Sequence, residues 1–425
     1  MCSKHSPVTS LMTLTIILTL VLLTQSAQAQ TFAVIGNFTG GADGEAPVAG
    51  LTIDRAGNFY GTNYEGGNTG SNCGSRGCGA VFKLAHAGSG WMLVPLYDFS
   101  GGTDGIFPTA RVIIGPDGNL YGTTQAGGGG PCENRDFVPG CGTVFQLRPP
   151  ATPCKAALCF WTETVLYRFS GFSDGLYPNA EVVFDQRGNL YGTASGGGGS
   201  PACSGGCGVV YKLTPSSGGW TETILYSFRG GTDGAFPEAR LVFDQAGNLY
   251  GTTLRGGSAY RGNVFQLTPS AAGWAEKTLH SFSGGVDGES PYAGVIFDQA
   301  GNLYGATSGT SYSGATVYEL TPAGGNWTYT LLYSWYGDGY GPAGDLVMKA
   351  GTLYGTTAGY GAYQRGNVFK LAGPGWTYTS LYDFTGGADG WGPDGSVAFD
   401  VSGNLYGTAG GGGAYDKGVA WEITP

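Results

Sequence analysis

The sequence predicts an all-β protein, a seven-bladed β-propeller of four-stranded antiparallel blades, and three observations carry that expectation. A Gly-Asn-(Leu/Phe)-Tyr-Gly-Thr core stands at Gly57–Thr62, Gly118–Thr123, Gly188–Thr193, Gly247–Thr252 and Gly403–Thr408, with variants at Gly301–Ala306 and Gly351–Thr356. The copies lie roughly 50–70 residues apart, the period of a supersecondary unit that must stack on its neighbours to bury its apolar faces. Composition agrees: 82 of 425 residues are glycine and 26 are tyrosine, only 12% are charged, and no sustained 3.6-residue periodicity occurs beyond the leader.

In chain order, Lys4 and His5 precede an apolar stretch from Leu11 to Leu23, and Ala27-Gln28-Ala29 gives a small-residue cleavage signal before Gln30. Residues 1–29 read as a secretory signal peptide and 30–425 as one propeller domain. The stretch is short and broken by Thr13, Thr15 and Thr19, which disfavours a retained anchor. Residues 220–267 give the template unit. Trp220–Phe228 is an alternating strand d, Arg240–Asp244 strand a, Leu249–Thr253 strand b, and Asn263–Leu267 strand c, closed by Thr268-Pro269. Gly230–Gly234 and Gln245–Asn248 supply the turn residues between them. Phe32–Phe38 matches strand d and Val419–Ile423 matches strand c, so the N-terminal strand is expected to join strands a, b and c of residues 397–423 and latch the ring.

Cys2 leaves with the leader, and the other eight cysteines fall in close pairs: Cys73–Cys78, Cys132–Cys141, Cys154–Cys159 and Cys203–Cys207. An even count at short spacing in an exported chain predicts local disulfides. Three of them would pin b–c loops and Cys154–Cys159 a c–d loop. A zinc site is not expected, since no Cys-x-x-Cys occurs and histidine is nearly absent.

The GNLYGTT core, the GG-x-DG-x-x-P turn and the GxVFxL(T)P strand together resemble the GloVer tandem repeat of bacterial extracellular proteins, over essentially all of residues 32–425. The resemblance implies a secreted or surface protein of unestablished activity.

The aspartate of the d–a turn recurs as Asp43, Asp104, Asp174, Asp233, Asp287, Asp338 and Asp389. A residue doing one job in every unit is expected to hold the turn through local hydrogen bonds, not to bind cations. The a–b hairpin aspartates Asp54, Asp185, Asp244, Asp298 and Asp400 read the same way. The repeated tyrosines (Tyr60, Tyr121, Tyr191, Tyr250, Tyr304, Tyr354 and Tyr406) are expected to pack between blades, as are the tryptophans that open strand d. Gly171–Gly175 matches a Gly-x-Ser-x-Gly pattern but is one more copy of the turn, with no helix after it.

Positions that differ between units are better functional candidates. Three residues after each turn proline stand Gly50, Arg111, Glu181, Arg240, Gly294, Asp345 and Ser396, where strand a would enter the central channel. Arg111, Glu181, Arg240 and Asp345 are candidate ligand contacts, with Tyr177, Phe236, Tyr292 and Trp391 to stack on a sugar ring; mutual salt bridging is the structural reading. A net charge of −10, one unit more negative once Lys4 is removed, opposes nucleic acid and anionic membrane surfaces. The expected function is non-catalytic binding by a secreted or cell-surface monomer, of extracellular polysaccharide or another surface protein, with no cofactor, no metal and no membrane span after cleavage. The alternative is a carbohydrate-active hydrolase or lyase in which Glu181 and Asp345 form the acid/base pair.

Overall fold

The computed structural model describes residues 30–70, 72–88, 90–132, 138–151, 160–310, 313–336 and 340–425. The leader, Cys154, Cys159 and Asp338 lie outside these residues.

Seven four-stranded antiparallel sheets form the blades of a ring, each ordered a-b-c-d from the centre outward. Blade 4 is representative: strand a is Val242–Phe243, b Leu249–Thr253, c Asn263–Ser270 and d Gly273–Ser281. Blades 1, 2 and 3 precede it and blades 5, 6 and 7 follow. Blade 7 is composite. Its a, b and c strands are Ala398–Phe399, Leu405–Ala409 and Val419–Thr424, and its d strand is Thr31–Asn37, paired antiparallel with Val419–Thr424 from Thr31↔Thr424 to Asn37↔Val419. The expected latch is therefore present.

Two template boundaries differ from expectation. Strand a keeps only two ladder residues, Val242 and Phe243; Leu241 before them is buried in an inter-blade core, and Arg240 and Ala239 line the central cavity. Strand c runs past Pro269 to Ser270. Beyond Leu267 it pairs with strand d alone, so the missing proline N–H breaks no ladder bond.

Each letter of the repeated core has a physical task. The glycine of strand b leaves room for the strand-c aromatic: a Cβ at Gly61 would sit 2.4 Å from Phe82, and one at Gly407 2.3 Å from Trp421. The buried threonine next to it donates across the seam to a carbonyl just before strand a of the following blade. Thr62, Thr123, Thr193, Thr252 and Thr356 reach Ala110, Ala180, Ala239, Ala293 and Gly395 at 2.8–3.1 Å, and Thr408 reaches Ala49 at 2.7 Å, tying blade 7 to blade 1. Blade 5 has Ala306 at this place and lacks the donor.

The repeated tyrosines pack between blades. Tyr121, Tyr191, Tyr250 and Tyr354 meet Phe184, Phe243, Phe297 and Phe399 of the next blade edge-on, with ring centroids 4.9–5.0 Å apart. Six of their hydroxyls donate to the a–b hairpin aspartate at 2.8–3.3 Å. In blade 2 that acid is Asp117, displaced toward the glycine within Gly115-Pro116-Asp117-Gly118. The strand-d tryptophans close the outer seam, as Trp91 does against Tyr406 and Trp376 against Tyr304.

The d–a turn aspartates hold their own turns. Asp43, Asp104, Asp174, Asp233, Asp287 and Asp389 each accept the backbone N–H four residues earlier at 2.6–2.9 Å. Three disulfides, Cys73–Cys78, Cys132–Cys141 and Cys203–Cys207, pin b–c loops of blades 1, 2 and 3.

Candidate functional site

The d–a and b–c loops share one end of the ring, joined by bridges such as Ile106↔Ala126, Ala235↔Arg255 and Trp391↔Gly411. At this end the strand-a entries converge on a central cavity of about 130 Å³, lined by Gly50, Arg111, Glu181, Arg240, Asp345 and Ser396. Gly294, the seventh member of that sequence position, donates its N–H to Asp345 Oδ1 at 2.6 Å.

The charged members neutralise one another in a chain. Arg111 grips Glu181 with both arms, Nε to Oε2 at 2.7 Å and Nη2 to Oε1 at 3.0 Å. Arg240 Nη1 lies 3.5 Å from the same Oε1, and its Nε contacts Asp345 Oδ2. Burial alone would raise the Glu181 carboxyl, but the Arg111 and Arg240 guanidiniums outweigh it and hold the group below its ordinary value. Burial likewise opposes the charge of Arg111, and Glu181 more than restores it. Arg240 thus stands between Glu181 and Asp345. Glycines on the other side make the arrangement possible: a Cβ on Gly50 would strike Ser396, and one on Gly344 would strike Gly395.

The four candidate aromatics separate. Tyr292 lines the cavity, and Trp391 is 43% exposed with its indole over Gly411. Tyr177 and Phe236 instead pack against inter-blade cores, because the residue before the turn proline takes a left-handed backbone (φ 57° and 59°) that turns its side chain into the seam.

Other residues of this end escaped sequence reasoning. Asp394 lines the cavity one position after Pro393, where the other blades carry Val48, Thr109, Asn179, Glu238, Tyr292 and Ala343; burial pushes its carboxyl up to about 6. Among the described residues nine aromatic side chains are exposed, and eight of them lie on d–a or b–c loops of this end. Seven belong to loops entering or within blades 4–7: Tyr260, Tyr292, Tyr336, Tyr340, Tyr363, Trp391 and Tyr415. Phe172 is the eighth. The signal for them was present in the sequence as aromatics in loops, where the fold needs none.

These features define a repeat-built propeller with a charged central cavity and an aromatic arc at one end. The chain belongs to the Gloeobacter/Verrucomicrobia repeat family, which matches residues 134–349 and 307–425. No curated protein matches it. Among solved structures, a fungal alcohol oxidase in complex with copper is similar over 93% of this chain and 76% of its own, with 12% identity and a TM-score of 0.52. A periplasmic gluconolactonase of Pseudomonas aeruginosa is similar over 87% of this chain and 93% of its own (14% identity, TM-score 0.48). A polysaccharide lyase is similar over 89% of each chain (11% identity, TM-score 0.46). At these identities the likeness is one of fold.

Proposed function

We propose that this protein is an exported propeller that binds extracellular polysaccharide, without cleaving it, on the end of the ring where the cavity opens. The observation that carries the reading is the gathering of eight of the nine exposed aromatics of the described residues at that end, since exposed rings offer amphipathic faces to a sugar. The loops of blades 4–7 form the platform and the cavity rim supplies polar contacts through Tyr292 and Asp394. The three disulfides support an oxidising compartment, and the leader sequence supports export.

The paired guanidiniums argue against Glu181 and Asp345 as acid and base, because a general acid needs a raised pKa and Glu181 is held low. A hydrolase or lyase reading finds its support in Asp394 instead. A panel of immobilised polysaccharides, scored for both retention and release of reducing ends, tests the proposal. Retention without release, weakened in a Tyr336→Ala/Tyr340→Ala/Trp391→Ala variant, is the expected result. Release abolished by Asp394→Asn would establish catalysis, and retention unchanged in the triple variant would move the site off this end.

A further inference from the structure

One position of strand d, the residue facing the leucine or isoleucine of strand c, packs against strand d of the preceding blade or the turn that follows it. It is Glu163 opposite Leu147, Glu222 opposite Leu213, Glu276 opposite Leu267, Tyr329 opposite Leu320, Tyr378 opposite Leu371 and Phe32 opposite Ile423. In the last three blades the seam is an aromatic stack on the preceding blade: Tyr329 on His280 at 4.4 Å, Tyr378 on Tyr333 at 4.6 Å and Phe32 on Tyr382 at 3.7 Å. In blades 2, 3 and 4 a carboxyl group takes that place and faces another one.

We propose that in two of these seams one proton resides on the glutamate, Glu163 beside Asp104 and Glu222 beside Asp174, so that blades 1–3 are latched in acid and loosened in alkali. Asp104 is nine-tenths buried, with Oδ2 occupied by Ser100 and Tyr97. Its Oδ1 and the Oε1 of Glu163 are both shut from solvent with no donor of their own, and the same holds for Asp174 Oδ1 and Glu222 Oε1. Two buried carboxylates left in this state would cost the seam both desolvation and repulsion. One proton removes both penalties by letting the glutamic acid donate to the aspartate, as in other close carboxyl pairs.

The surroundings supply no countercharge of equal reach. Glu163 faces Asp104 and Tyr97 from blade 1, with Arg168 on its own strand as the one cation acting on it. Glu222 faces Asp174 and Tyr167 from blade 2 and Tyr211 within blade 3. The third seam differs: both oxygens of Asp233 accept, from the Tyr226 hydroxyl and the Arg229 backbone N–H, Glu276 accepts from Thr278 at 3.0 Å, and the seam opens to a polar cavity. Burial first, and the aspartate second for Glu163 and Glu222, push these two carboxyls up to about 7; for Glu276 burial and Asp233 reach the same value against the Thr278 hydrogen bond. A folded pKa above the unfolded one means stability that is complete below about pH 4.5 and is lost as pH rises through about 7.

The test is calorimetric melting of the mature protein between pH 5 and pH 8, in chelator, for wild type and a Glu163→Gln/Glu222→Gln variant. The amide keeps the shape and donates to the aspartate at every pH. Wild type is expected to lose roughly 5 °C more than the variant across this range, with the variant the more stable at pH 8. Parallel profiles would overturn the proposal. So would calcium restoring wild type but not the variant at pH 8, which would put a cation where the proton is placed. Should the double variant not fold, Glu163→Gln alone carries the same comparison, and infrared detection of a protonated carboxyl lost in Glu163→Gln gives a second readout.

Discussion

Glu181→Gln separates a structural role of the central cluster from a ligand-gripping one. Glu181 is the anion between two guanidiniums, its side chain 11% exposed against 22% and 23% for Arg111 and Arg240. Neutralising it leaves Arg111 facing an amide that can accept one bond but returns no charge, while Arg240 keeps Asp345. Breaking a buried pair from one side costs 3–5 kcal/mol, and the partial exposure of both arginines places this change near the lower end, about 3 kcal/mol. Urea unfolding followed by tryptophan fluorescence at pH 7 reads it directly. The Glu181 carboxyl titrates low, so its contribution is present above its unfolded pKa near 4.5 and is lost as pH falls through the depressed folded value. The gap between variant and wild type is therefore expected to close toward pH 3. Removing both charges in Arg111→Gln/Glu181→Gln is expected to recover part of the loss. A variant within about 0.5 kcal/mol of wild type at pH 7 would refute the structural assignment and free Glu181 for a ligand.

Two further outcomes follow from the seams and loops. Ala306→Thr supplies the one missing inter-blade donor and is expected to raise stability by about 1 kcal/mol, read as a higher urea midpoint; a lower midpoint would mean that the seam between blades 5 and 6 has no room for the hydroxyl. Cys203→Ser/Cys207→Ser opens a small loop and is expected to cost about 2 kcal/mol in the chain-entropy account, measured as a lower Tm of the variant without reductant; reducing agent is expected to lower wild type further than the variant, which keeps Cys73–Cys78 and Cys132–Cys141.

The ring, its closure and the tasks of its repeated residues were legible because each is written several times over. A motif that recurs with the same turn chemistry reports a local requirement, such as the N–H that Asp104 or Asp389 accepts, and local requirements survive without coordinates. The convergence of Arg111, Glu181, Arg240 and Asp345 was also readable, as a register position counted from the turn proline. What could not be read was direction. Tyr177 and Phe236 look like binding aromatics until their backbone turns them into the seam, and Asp394 differs from its counterparts by one offset that no repeat count singles out. The carboxyl pairs were hidden for another reason: Asp104 and Glu163 lie on different blades, each ordinary in its own repeat, and their meeting is a fact of packing.

Those departures from the repeat divide the ring unevenly. Blades 1–3 carry the disulfide-pinned loops, and the seams from blade 1 to blade 4 carry the carboxyl pairs; the loops around blades 4–7 carry seven exposed aromatics, over seams closed by stacked rings. Of these stacked rings His280 alone can change charge below pH 8, and burial holds its imidazole below the ordinary value of about 6.5, so the stacks lose or gain charge at a lower pH than the glutamates. Binding on the aromatic arc and integrity of the ring are thus built on different chemistry, and their pH profiles are expected to part. Glycan retention that stays level from pH 5 to pH 8 while Tm falls would place ligand and latch on opposite halves of the ring, whereas retention that falls in step with Tm would mean that the arc depends on the carboxyl seams after all.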